Sequence, residues 1–176
     1  MTTQILLSGF GGQGILFTGK FLAYKGLLAD KNVSWLPSYG PEMRGGTASC
    51  SVIISDEEVG SPIISQPDVL IAMNLPSFEK FEPTVKPGGI IIADSSLIET
   101  KSIRTDIDVY YIPATTLASD MGKQSLANMI ILGKLLAVMD DFNEDEIKTV
   151  LSKVIPPKKA DMLEINMKAM QIGANN

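Results

Sequence analysis

The chain has 176 residues, 45 % of them apolar, and a net charge of −5, the size and composition of one globular domain with a full core. No basic block is present, which argues against a nucleic-acid partner, because phosphate neutralisation takes clustered Lys and Arg. The absence of histidine removes the commonest general base and metal ligand together, and the single cysteine, Cys50, leaves neither an internal disulfide nor an iron–sulfur cluster to this chain alone.

Met1-Thr2-Thr3-Gln4 lacks a basic region and glycines interrupt the apolar run that follows, so no signal peptide is expected. The longest apolar stretch, Leu126 to Met139, is shorter than the ~20 helical residues that cross a bilayer. One cysteine is compatible with a reducing cytoplasm, and the expected setting is cytoplasmic.

From the beginning, an apolar run at Gln4–Leu7 reads as a strand that opens into Ser8-Gly9-Phe10-Gly11-Gly12-Gln13-Gly14 and then into a helical pattern. Gly9, Gly11 and Gly14 fit the spacing G-x-G-x-x-G between strand and helix, where backbone N–H groups and a helix N-terminus favour an anion. A dinucleotide site also wants an acid about 20 residues further on, at the end of the second strand. Here that strand, Val33 to Leu36, is expected to stop at Pro37 and runs into Ser38-Tyr39-Gly40, while Asp30 comes too early. A nicotinamide or flavin is therefore disfavoured. Another anion, or a plain turn with close packing, stays open.

The first helix, with Ile15, Gly19, Leu22, Ala23 and Gly26 on one face, ends near Asp30, and its small residues predict close approach to a sheet. After the loop from Ser38 to Gly46, Thr47 to Ser55 reads as a strand with Ala48, Cys50 and Val52 on one face. Asp56-Glu57-Glu58 reads as a turn and Val59 to Ile64 as a short edge segment. Asp68–Met73 and Gly89–Asp94 have the near-continuous apolar runs of strands buried on both faces. Between them, Leu75 to Val85 reads as a helix, and Val109–Ile112 as a further strand broken by Pro113. Strands alternating with helices predict a three-layer α/β/α domain over residues 1–176, with a mixed, mostly parallel sheet and a Rossmann-like glycine turn after strand 1.

Ser125 to Met139 is apolar on nearly every face, so the helix must be enclosed; part of it is expected to meet another chain, a second copy when the chain is isolated. Asn143 with Glu146 reads as an N-cap for a helix to about Val154. A last helix from about Lys159 to Ile172 carries Met162, Leu163, Met167 and Met170, which read as core.

The residues with chemistry are few. Arg44, between Glu42 and Gly45-Gly46, either clamps a phosphate or carboxylate or makes a surface ion pair. Tyr39 reads as a half-buried loop aromatic, Glu42 as a cap or ion-pair partner, and Cys50 as an inert buried thiol. Asp94, at the end of a buried strand, is a ligand residue or a helix cap. Asp120, Lys123 and Gln124 are placed on the same rim. No self-sufficient catalytic set emerges, so the chain is expected not to do chemistry alone.

Gly9-Phe10-Gly11-Gly12-Gln13-Gly14, followed by Ser38-Tyr39-Gly40-Pro41-Glu42-Met43-Arg44-Gly45-Gly46-Thr47-Ala48-Ser49-Cys50, resembles the gamma subunit of 2-oxoacid:ferredoxin (acceptor) oxidoreductases. The likeness continues through Asp68–Asn74, Gly88-Gly89, Ala127-Asn128-Met129, Leu132-Gly133 and Asn166, Ala169 and Gly173 in the last helix, and it is strongest to the 2-oxoglutarate and branched-chain (ketoisovalerate) types. The resemblance implies a complex that oxidatively decarboxylates a 2-oxoacid to an acyl-CoA and passes electrons to ferredoxin or another acceptor. It implies thiamine diphosphate between alpha and beta subunits, iron–sulfur clusters on subunits other than gamma, a ferredoxin-like delta subunit in some forms, and an isolated gamma chain without activity. Gly9, Gly11, Gly12, Gln13, Gly14, Arg44 and Gly45 become the candidates for the rim that faces coenzyme A or the partner subunits; a free-standing nucleotide-binding oxidoreductase and a purely structural subunit are the competing readings.

Overall fold

A computed structural model describes residues 1–39 and 46–176. Six strands form one sheet: β1 (Thr2–Phe10), β2 (Asn32–Tyr39), β3 (Thr47–Ser55), β4 (Val69–Ala72), β5 (Ile90–Asp94) and β6 (Asp108–Ile112). Their spatial order is β2-β3-β1-β4-β5-β6. β1, β4, β5 and β6 run parallel, and β3 is antiparallel to both of its neighbours. The expected mixed sheet is present.

Alternation along the strands sorts two cores. Ile5, Leu7, Cys50, Val52, Val69, Ile71 and Ile92 face one side. Leu6, Leu70, Ala72, Ile91 and Ala93 face the other. The first side carries α1 (Ile15–Leu28), α4 (Ala127–Val138), α5 (Glu144–Val154) and α6 (Met162–Asn175), with α3 (Ala114–Asp120) against α4. The second is covered by α2 (Leu75–Phe81) and by Ile98 and Ile107 of the chain between β5 and β6.

Small residues let α1 lie close to the sheet, as its sequence predicts: a Cβ at Gly19 would come within 2.4 Å of Cys50 Sγ. The helix ends at Leu28 and turns through Asp30 at φ 54°. α4 is largely enclosed by its own chain. Residues Ala127 to Gly133 are all buried, as are Leu135 and Leu136, and α6 crosses so closely that a Cβ on Gly133 would sit 2.0 Å from the Met170 carbonyl oxygen. Burial within the chain accounts for the all-round apolar pattern of Leu126–Met139.

Five features differ from expectation. β2 runs through Pro37 to Tyr39, with Pro37 opposite Cys50; β2 is an edge strand, and there a proline nitrogen can face away from the ladder. Val59–Ile64 forms no strand. The helix after Leu75 gives way to a 3-10 turn at Glu82–Thr84. Pro113 does end β6, but it also precedes α3, a helix absent from the sequence reading. The last helix begins at Met162, after a 3-10 turn at Pro157–Lys159, and of its apolar residues Met170 is fully buried while Met167 is partly so.

Candidate functional site

α1 leaves β1 for one face of the sheet and α2 leaves β4 for the other. The C-terminal ends of β1 and β4 thus form a switch point, where open α/β sheets place ligands. A cleft of about 400 Å³ lies there, lined by Gly11, Gly12 and Gln13 after β1, Met73 after β4, Leu97 after β5, Thr115 after β6, and by Gln124, Ser125 and Ala127. A second lobe of about 490 Å³ opens elsewhere, between α5 and α6. A lobe of about 510 Å³ that shares Gly12 and Ser125 with the cleft continues it past α1, to Lys20, Asn128 and Lys159.

The residues of the glycine turn divide by duty. A Cβ on Gly9 would lie 2.5 Å from Gln13 Oε1 and 3.1 Å from Met73 Cβ, so Gly9 is there for packing. Gly11 N–H donates to the Gly46 carbonyl at 2.9 Å. Gln13 is a latch: its Oε1 accepts from Phe10 N–H at 2.7 Å and its Nε2 donates to the Met73 carbonyl at 3.0 Å. Gly12 and Gly14 hold φ of 94° and 78°, which only glycine adopts without strain. No side chain among the described residues caps α1. The N–H groups of Gly12, Ile15, Leu16 and Phe17 consequently have no acceptor among the described residues, and they supply the partial positive charge of a helix N-terminus.

Asn128 on α4 braces this turn. Its Nδ2 donates to the Gly14 carbonyl at 3.3 Å and to Thr18 Oγ1 at 3.2 Å, while its buried Oδ1 has no partner among the described residues. Thr18 N–H and Oγ1 also donate to the Gly14 carbonyl, at 3.0 and 3.1 Å. Among the described residues, no carboxylate lines the cleft or its continuation.

Other candidates fall elsewhere. Asp94 is fully buried and committed: Oδ1 accepts from Ser96 N–H and Thr115 N–H, and Oδ2 from the Thr115 hydroxyl at 2.5 Å. It fixes the start of α3, so of its two readings the cap is the one realised. Cys50 is fully buried beneath α1, and burial pushes its thiol up to about 12 against a smaller opposing hydrogen bond from Trp35. Tyr39 ends the edge strand, 55 % exposed. Gln124 reaches the cleft, whereas Lys123 Nζ lies 3.1 Å from Met162 Sδ. Glu42, Arg44 and Gly45 lie outside the described residues. Leu97, Thr115, Ser125, Lys20 and Lys159 carry no motif that marks them in the sequence; the fold alone gathers them.

The strand order also bears on a dinucleotide. β3 lies between β1 and β2, so the end of β2 is one strand removed from the glycine turn and could not present a ribose-binding acid as the adjacent strand of a Rossmann sheet does.

The family model described as pyruvate ferredoxin/flavodoxin oxidoreductase matches residues 4–176. Ketoisovalerate oxidoreductase subunit VorA of Methanothermobacter marburgensis is 36 % identical over 173 residues, 98 % of this chain and 36 % of that protein. The chain thus spans about a third of the length of that relative. The keto/oxoacid ferredoxin oxidoreductase gamma subunit of Geobacter sulfurreducens superposes with a TM-score of 0.81 at 28 % identity, covering 98 % of this chain and 96 % of the other. A 2-oxoglutarate:ferredoxin oxidoreductase of Magnetococcus marinus, solved with 2-oxoglutarate, coenzyme A and succinyl-CoA bound, superposes at 0.86 and 28 % identity over 99 % of this chain and 30 % of that one. With the match running almost from end to end over a sheet of the same build, the chain belongs to the pyruvate ferredoxin/flavodoxin oxidoreductase family.

Proposed function

We propose that the chain is the gamma subunit of a cytoplasmic 2-oxoacid:ferredoxin (or other acceptor) oxidoreductase, and that its switch-point cleft receives coenzyme A. The complex releases carbon dioxide from a 2-oxoacid, transfers the acyl group to the coenzyme A thiol and passes two electrons to the acceptor. 2-Oxoglutarate is the proposed substrate, a reading supported by the likeness to the Magnetococcus enzyme. Thiamine diphosphate and the iron–sulfur clusters belong to the alpha, beta and ferredoxin-like subunits that are its proposed partners.

The observation that carries the reading is the N-terminus of α1, uncapped by any described side chain, beside a cleft whose described lining has no carboxylate. Its N–H groups suit phosphate oxygens, and Met73 and Leu97 supply apolar wall for an uncharged arm. The chain's part is then to bind and orient, holding the thiol end toward the partner subunits. Arg44 and Gly45 precede Gly46, which is tied to Gly11; their proposed part is a guanidinium and a close backbone for the same anion. Exposed Phe10, Trp35, Leu36 and Tyr39 offer apolar surface of the kind that partner subunits cover.

The test is anaerobic co-purification of the tagged chain, with the eluate assayed for coenzyme A-dependent dye reduction by several 2-oxoacids. Larger subunits carrying iron and thiamine, with activity, are expected. A chain that elutes alone and binds a nicotinamide or flavin nucleotide tightly overturns the proposal, and an unchanged coenzyme A KM in Arg44→Ala removes Arg44 from it.

A further inference from the structure

The ladder between β1 and β4 stops one hydrogen bond short of where its geometry would carry it. The strands pair in parallel from Ile5–Val69 to Ser8–Ala72, and Met73 N–H then donates to the Ser8 carbonyl at 2.9 Å. In a parallel pair the next bond runs from the residue two beyond that acceptor back to the same partner residue. Here that bond would join Phe10 N–H to the Met73 carbonyl.

The side chain of Gln13 stands in its place. Oε1 accepts from Phe10 N–H at 2.7 Å and Nε2 donates to the Met73 carbonyl at 3.0 Å. The orientation of the amide is forced, because one partner can only donate and the other only accept. Two backbone groups that would meet directly are thus held apart by a whole amide. Gly9 makes room for it, since a Cβ there would lie 2.5 Å from Gln13 Oε1 and 3.1 Å from Met73 Cβ. The separation falls at the mouth of the cleft, which Gly11, Gly12, Gln13 and Met73 line.

We propose that Gln13 is a wedge: a positioning residue whose amide keeps the ends of β1 and β4 from zipping by one more bond, and so keeps the cleft open between Gly12 and Met73. This rests on the reading of the cleft as the coenzyme A site. Gln13 contributes to that site by setting its width, while the two backbone groups it separates remain satisfied. Removing the amide lets Phe10 and Met73 bond to each other, so the fold loses no hydrogen-bond partner for either group and the cleft narrows.

The test uses Gln13→Ala and Gln13→Ser, the second guarding against a folding defect peculiar to the first. Hydrogen exchange at the Phe10 amide and the Tm are measured on the full chain, and calorimetric binding of coenzyme A and steady-state kinetics on the assembled enzyme. The Phe10 amide should exchange no faster than in the wild type and the Tm should be held or raised. The coenzyme A Kd and KM should rise at least tenfold, with kcat at saturating coenzyme A within twofold. A Gln13 that merely ties down the turn would give the opposite pattern on removal, with faster exchange at Phe10 and a lower Tm, and that result overturns the proposal. An unchanged Kd in both variants overturns it as well. A wild-type complex that binds no coenzyme A would instead overturn the reading of the cleft, and the exchange at Phe10 would still decide whether Gln13 is a wedge.

Discussion

Gly12 and Gly14 stand two residues apart in the same turn, both at positive φ, and the structure assigns them opposite sensitivities. An alanine at either position meets the left-handed backbone penalty of about 1–2 kcal/mol. At Gly14 the new Cβ also lies 2.4 Å from Asn128 Nδ2 and 2.8 Å from its Cγ. Ordinary contact begins near 3.4 Å, so the amide must retreat and release its hydrogen bonds to Gly14 and Thr18, at about 0.5–1.5 kcal/mol each. Gly14→Ala should therefore cost roughly 2–5 kcal/mol, about 4–20 °C of Tm for a domain of this size. At Gly12 a Cβ has nothing within 4 Å, so only the backbone penalty applies, roughly 2–8 °C of Tm. The added methyl instead sits where the cleft and its continuation meet. Calorimetry of both variants, followed by steady-state kinetics of the assembled enzyme, separates the cases. Gly12→Ala should keep most of its stability and raise the coenzyme A KM about tenfold, equivalent to about 1.4 kcal/mol of binding. Equal losses of Tm, or a Gly12→Ala enzyme with its coenzyme A KM unchanged, would refute the division of labour argued for the turn.

Gly133→Ala and Gly173→Ala bring a Cβ to 2.0 Å and 1.8 Å from backbone carbonyl oxygens across the α4–α6 crossing. Each should destabilise by about 3 kcal/mol in urea unfolding rather than gain the ~1 kcal/mol of an open helical site, and the double variant should cost less than the sum, since one separation of the helices relieves both; a rise in stability for either contradicts the packing. Cys50, buried and with its thiol pushed up to about 12, should resist a thiol reagent at pH 8 until the chain unfolds, and labelling at the rate of a free cysteine would count against its placement. Asp56 is hydrogen-bonded by Lys31 and the terminal amine, which hold its carboxyl down at about 2 from the ordinary 3.8. Its contribution to stability is present above about pH 4 and lost as pH falls toward 2, so Asp56→Asn should flatten the acid limb of a Tm–pH profile.

Most strands and the packing of α1 were legible in the sequence because they rest on local pattern. Alternation at Ala48, Cys50 and Val52, the continuous apolar runs of β4 and β5, and the small residues Gly19 and Gly26 each state their environment within a few residues. α3 was not legible for a physical reason. Its caps are distant: Thr115 is held by Asp94 and the Thr116 N–H by Ser96 Oγ at 3.1 Å, so no local signal opens it. Pro37 misled because whether a proline breaks a strand depends on that strand being at an edge, a property of the whole sheet. The site divides similarly. The glycine spacing marked the turn, but not that Gly9 and Gln13 are occupied in shaping it while Gly12 and the first turn of α1 are left open. Asn128 sits in an otherwise apolar helix, and its bracing of Gly14 spans 114 residues, so only the folded chain supplies it.

The charged groups of the molecule are sorted by end, and that sorting makes a kinetic prediction. Lys25, with Asp141 and Glu146 at 2.9 Å each, and Met1, Lys31 and Asp56 all border a cavity where β1 begins. The groups with displaced pKa there, Lys25 and Asp56, brace α1 and the amino terminus. At the opposite end, where β1 finishes, the cleft is lined by backbone N–H groups, amides, hydroxyls and apolar side chains, and among the described residues the charged side chains of its continuation are Lys20 and Lys159. Nothing lining that end titrates near neutrality among the described residues, since the chain has no histidine and its cysteine is buried. Binding of coenzyme A through this end should therefore follow the ligand's own ionisation. A phosphate monoester loses its second proton near pH 6, so the coenzyme A KM of the complex should fall as pH rises through that value and then stay level to about pH 9. Below pH 6 the helix N-terminus and the lysines meet a singly charged phosphate and hold it less well. A KM profile with a further inflection between pH 7 and 9 would mean that a group on another subunit, not this chain's turn and lysines, sets the affinity.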